Sequence, residues 1–249
     1  MRWRRLLVTL VVAAVLTAAT GQPASPTPRA VADGIDTGAA VGGTAVTDNV
    51  LDGETAAAVR RLLAARSAAV VDGDTEAMAA LIAADAPEDF RLRQLRLAAA
   101  TAALPPGTYV EELAEPVLDL TPPSVRAAIP MPVMVVEVVR RQRFEGYDPS
   151  ENVTSTYLTL VDPDGEGDWV VRDDTALRSV GVVGERYLWE LFDVGSVATD
   201  RVLVIGTTGE PELRRLAGEV EQAIDRFDEV WTRPWWGRIV VLSPTDVAE

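Results

Sequence analysis

The side chains able to do chemistry in this chain are carboxylates, hydroxyls and guanidinium groups, because its 249 residues include no histidine, cysteine or lysine. Without imidazole there is no Ser-His-Asp or Cys-His relay and no histidine general base. Without lysine there is no Schiff base and no phosphate-loop amine. The usual zinc ligand sets are also missing, which leaves carboxylates, donors suited to hard cations such as calcium or magnesium. Paired carboxylates could serve a glycosidase or an aspartic dyad. However, the single Asp36-Thr37-Gly38 triplet has no second copy and lies in a Pro- and Gly-rich stretch. A carboxylate-only hydrolase would need one acid of a close pair with a raised pKa in a cleft.

Three further motifs are weighed against plainer readings. Asp162-x-Asp164-Gly165-x-Gly167-Asp168 converges carboxylates on a Gly-rich turn. It lacks the third ligand before the glycine and the distal bidentate Glu of an EF-hand, so a hairpin turn is favoured. Asn152-Val153-Thr154 fits a glycosylation pattern, but it opens a strand and reads as ordinary strand sequence. Trp231, Trp235 and Trp236 could stack on a ligand, yet packing over the end of a long helix is the simpler role. No residue is therefore assigned as catalytic, cofactor-binding or metal-ligating, and no cofactor is expected.

The elements that would position any site follow from periodicity. Asp52 to Val71 carries Ala56, Val59, Leu62, Leu63, Ala69 and Val70 mostly at spacings of three and four, which predicts a helix, with Arg60, Arg61 and Arg66 off the apolar stripe. Gly73 suits a left-handed C-cap and Asp74 an N-cap for a second helix over 75–84. A third helix is expected over 88–104, followed by strands over 108–120, 133–144, 153–161 and 168–172. After Arg186, 187–197 and 201–205 read as strands, 212–231 as a long amphipathic helix and 238–242 as a buried strand. The pattern is α+β: three helices packed on a curved antiparallel sheet (50–180), then a smaller, incomplete strand–helix–strand unit (186–249) with an open sheet edge. The interior of the first unit is the candidate pocket for a small apolar ligand, unless its own side chains fill it.

The start of the chain reads as an export signal or N-terminal anchor (1–20): Arg2, Arg4 and Arg5 precede an apolar run from Leu6 to Thr20. A disordered linker is expected over 21–49. The product is then extracytoplasmic, secreted or tethered to the membrane by that segment alone. With no cysteine, its stability must come from the core instead of disulfides. Losing the three signal arginines takes the formal charge from −15 to −18, which argues against nucleic-acid binding. The exclusive use of arginine points to a GC-rich genome.

Several segments together resemble a family of exported actinobacterial proteins. They are Val59-Arg60-Arg61-Leu62-Leu63 through Asp72-Gly73-Asp74, Phe90-Arg91 with Gln94, Arg143-Phe144-x-Gly146-Tyr147-Asp148 and Tyr157-Leu158-Thr159-Leu160. The match continues through Leu188-Trp189-Glu190-Leu191-Phe192-Asp193-Val194-Gly195-Ser196-Val197, Val230-Trp231 and Trp235-Trp236-Gly237-Arg238-Ile239-Val240-Val241-Leu242-Ser243-Pro244-Thr245. The resemblance implies a SnoaL-like, nuclear-transport-factor-like cone followed by the N-terminal lobe of a gluzincin-type metallopeptidase. Longer members of that family continue into a zinc-binding His-Glu-x-x-His helix, which has no counterpart in this sequence, so none of its ligands carries over. The expected function is thus an exported, non-catalytic accessory or truncated N-terminal region of a metallopeptidase-like protein. Its partner would be a downstream or separate peptidase-like polypeptide. The alternative is a stand-alone binding module using the cone pocket.

Overall fold

A computed structural model describes residues 49–245, which belong to one compact unit. The expected export signal, the linker, the Asp36-Thr37-Gly38 triplet and the last four residues lie outside the described part. Among the described residues, no helix is long and apolar enough to cross a membrane.

The fold is α+β. Helix α1 (Gly53–Asp72) starts at Asp52, whose carboxylate accepts from the amides of Glu54 and Thr55 at 3.0 and 2.9 Å. It stops at Gly73, held at φ 68°, where a side chain would be strained. Asp74 then caps α2 (Thr75–Ala80) in the same way. The second helix is shorter than the sequence predicts because residues 81–83 are drawn into strand pairing. Val171 donates its amide to the Leu81 carbonyl, and its own carbonyl accepts from the Ala83 amide. Helix α3 (Glu88–Ala99) passes into a short 3₁₀ turn over Ala100–Ala102.

Strands β1 (Gly107–Leu113), β2 (Val133–Phe144), β3 (Asn152–Val161) and β4 (Val170–Asp173) form an antiparallel sheet in that order. The first strand is predicted to run to residue 120 but ends at Leu113. Beyond Pro116, which has no amide to donate, residues 117–119 pair with 49–51. The register between β3 and β4 shifts at Thr159/Leu160. One sheet face buries Met134, Val136, Val138, Leu158 and Leu160 against Val59, Leu63, Phe90 and Leu97 of the helices. Helix α4 (Pro123–Ala128), which the sequence pattern does not predict, covers part of the opposite face, where Val125 and Ile129 meet Val133 and Val161. Its one sequence cue is Pro123 at the first helical turn.

The segment expected as a strand over 187–197 splits into a helical turn, α5 (Leu188–Leu191), and a strand, β5 (Gly195–Ala198). The turn forms because the Glu190 carboxylate reaches back to the Tyr187 amide at 2.8 Å. Strands β5, β6 (Val202–Gly206) and β7 (Ile239–Ser243) form a second sheet, with β6 parallel to β7. Helix α6 (Glu210–Val230) packs Leu213, Ala217, Val220 and Ile224 onto Val202 and Val204. Leu203 and Ile205, on the other face of β6, belong to the same buried cluster as Phe144, Tyr187 and Trp189. The second face of this sheet is therefore covered. Its outer edge at β7 does lack a strand partner among the described residues, with Leu242 53% exposed.

Candidate functional site

The interior between the helices and the first sheet is not lined by apolar groups alone. Arg66 on α1 is 1% exposed, although the sequence placed it off the apolar stripe. Its Nε donates to Glu111 Oε2 at 2.7 Å, and its Nη2 donates to Glu111 Oε1 at 3.2 Å and to Gln94 Oε1 at 2.7 Å. Glu111 sits on β1 between Tyr109 and Leu113, all three facing inward by strand alternation. Its Oε1 also accepts from the Tyr109 hydroxyl at 2.8 Å. Ser67 ties helix to strand by accepting from the Glu111 amide at 2.8 Å and donating to the Leu63 carbonyl at 2.8 Å.

A second buried pair adjoins the first. Arg140 on β2 donates to Glu190 Oε1 at 2.5 Å and to the Glu185 carbonyl, while its guanidinium lies 4.5 Å from the Tyr187 ring centre. Tyr187 stacks on Trp189 at 4.8 Å, and Trp189 meets Phe144 edge-on at 5.7 Å. Arg140 Nε has no hydrogen-bond partner among the described residues. A cluster of three charges closes the flank: Asp174 accepts from Arg93 at 2.8 Å and from Arg186 at 2.9 Å.

The surroundings of Glu111, Tyr109 and Arg140 shift each of them in a definite direction. Burial alone would raise the Glu111 carboxyl, but the Arg66 charge, the hydrogen bonds from Arg66 and Tyr109, and the Arg140 charge together hold it below its ordinary value. Burial, reinforced by the Glu111 charge, pushes the Tyr109 phenol well above its usual value. Burial works against the Arg140 guanidinium, yet Glu190 and its neighbours keep it more firmly protonated than a free arginine. Near neutral pH the carboxylate of Glu111 and the phenol of Tyr109 therefore stay in fixed charge states. The arrangement orients helices, sheet and the α5 turn.

The other candidates resolve simply. Asp162 is 4% exposed, and its two oxygens accept from the amides of Gly165 (3.0 Å) and Gly167 (2.8 Å), so the carboxylate is used to close the turn. Asn152 pairs with Gln142 at the exposed start of β3. Trp231 stacks on Phe227 at 5.2 Å, Trp235 meets the same ring edge-on and donates to Asp228, and Trp236 donates to the Tyr147 carbonyl. Among the described residues no group of three or more acidic side chains is placed to hold a metal ion. Two cavities, of about 40 and 170 Å³, lie beside residues 113–120 and beneath α4.

No family model, curated protein or solved structure matches the chain.

Sequence reasoning missed Arg66, Glu111, Arg140 and Glu190, although two of them left a signal. Arg66 continues the stripe Val59, Leu62, Leu63 toward Ala69 and Val70 at three-residue spacing, and Glu111 sits in phase with Tyr109 and Leu113. Opposite charges on the buried phase of a helix and of a strand are the pattern of an internal ion pair.

Proposed function

We propose that this chain is a non-catalytic accessory region of an exported, metallopeptidase-like protein, acting through its surfaces and not through a pocket in the cone. The observation that carries this reading is the network of buried ion pairs in the interior. Arg66, Glu111, Gln94, Arg140 and Glu190 are each buried and directed at one another. Their charges balance, and Glu111 and Tyr109 are shifted away from neutrality. A reacting molecule would have to displace ion pairs whose separation in a dry interior is expensive. The absence of His, Cys and Lys supports the same reading from composition.

The test is a hydrolysis assay. The full chain, purified and incubated with zinc and an unfolded protein substrate, is expected to release no peptides. Peptide release that a chelator abolishes would overturn the proposal.

A further inference from the structure

The outer edge of β7 exposes backbone groups that a further strand would satisfy. The Ile239 amide donates to the Arg201 carbonyl at 2.9 Å, and the Ser243 carbonyl accepts from the Thr207 amide at 3.2 Å. The odd-numbered residues of β7 therefore turn their amides and carbonyls toward β6. By alternation Val240 and Leu242 turn theirs outward, where they have no partner among the described residues. Exposed edges are usually blunted by a charge, a proline or a bulge. Between Ile239 and Ser243 there is none of these; Arg238 and Pro244 stand just outside the strand. Its side chains are apolar apart from Ser243, and Leu242 is 53% exposed.

This edge is complementary to itself. Two antiparallel copies of β7 related by a two-fold axis at Val241 set Val240 of each against Leu242 of the other. All of these residues point their amides and carbonyls outward, so each of the two pairs exchanges two hydrogen bonds. The register uses every outward residue of both strands. It also places Arg238 opposite Pro244, and residues 237–245 contain no acid. Like charges thus do not meet across the edge, although the chain as a whole has a formal charge of −15. We infer that β7 is a homodimerisation edge that joins the three-stranded sheets of two copies into one, independently of the accessory role proposed above. A five-residue edge buries less than the roughly 1,200 Å² of a stable interface, and two acidic copies repel. The dimer therefore forms only at high concentration and strengthens with salt.

Sedimentation equilibrium of the full chain, from micromolar to millimolar concentration, is expected to show a monomer–dimer transition that salt moves to lower concentration. Hydrogen exchange on the same samples is expected to protect the amides of Val240 and Leu242 only where dimer is present. Those of Val241 and Ser243, turned toward β6, stay protected throughout. Leu242→Pro removes an outward amide at a position where an edge strand tolerates proline. It should keep the urea stability of the dilute parent and weaken the dimer at least about tenfold. Leu242→Ala, which keeps the amide, should weaken it less. A monomer at every concentration, or Val240 and Leu242 amides protected in a monomer because another part of the chain covers them, would overturn the assignment. So would a dimer in which those amides exchange freely, one that salt weakens, or one unchanged in Leu242→Pro.

Discussion

Replacing Glu111 by leucine isolates the contribution of the interior ion pair. Both partners are 1% exposed, and the Glu111 carboxylate receives two bonds from Arg66 and one from Tyr109. Deleting it leaves the Arg66 charge in a dry interior with only Gln94 and the Met78 sulfur as partners. Removing one member of such a pair costs about 3–5 kcal/mol. For a domain of this size that corresponds to a fall in melting temperature of roughly 6–20 °C. Arg66→Met is expected to cost a similar amount. The double variant behaves differently, because no buried charge is left behind; Gln94 and Tyr109 each lose a partner, at about 1–3 kcal/mol per group. Its cost should therefore fall short of the sum of the singles by at least about 1 kcal/mol. Urea denaturation of the four proteins measures this cycle. Single variants costing under about 1 kcal/mol, or a strictly additive double variant, would refute the reasoning.

Three other expectations concern separate parts of the molecule. Glu111 titrates below its ordinary value of 4.5 when folded, so its contribution is complete above that value and is lost as pH falls through the lower, folded-state pKa. A urea series from pH 6 to pH 2 should accordingly show a steeper acid loss in the parent than in Glu111→Gln. Asp148 has the opposite sign: burial raises its carboxyl above 3.8 despite the bond from the Phe144 amide and the nearby Arg143 charge. Asp148→Asn should gain stability relative to the parent at neutral pH, and the gap should close below the unfolded value, as thermal melts at both ends would show. Gly206→Ala would place a methyl 2.6 Å from the Ser243 carbonyl and 2.8 Å from a Leu213 methyl. Overpacking of this kind costs about 1–3 kcal/mol and should speed amide exchange in β6 and β7 before it affects β2 and β3.

The parts of the fold legible in the sequence are those set by local rules. The Gly73 and Asp74 caps mark the end of α1 and the start of α2, and the β-branched run from Val133 gives β2 its full length. The parts that were not legible depend on distant partners. Residues 81–83 look helical but pair with Val171, and 187–191 look extended but coil because Glu190 serves both the Tyr187 amide and Arg140. Likewise, nothing local to β6 tells that its second face joins the cluster of Phe144, Tyr187 and Trp189. Such choices are made by tertiary packing and override local propensity. The interior network was hidden for a similar reason: a lone arginine on a helix reads as solvated until the strand residue opposite it is known.

The buried ion-pair network is tested most directly by hydrogen exchange at the Arg66 guanidinium. Its Nε–H is bonded to Glu111 and shielded from solvent by the surrounding helices and sheet. Followed by NMR at mildly acidic pH, that proton is expected to exchange only as slowly as the best-protected amides of β2 and β3, through global unfolding. Exchange within a few-fold of free arginine, with those amides still protected, would show that water enters the cone and would contradict a buried network.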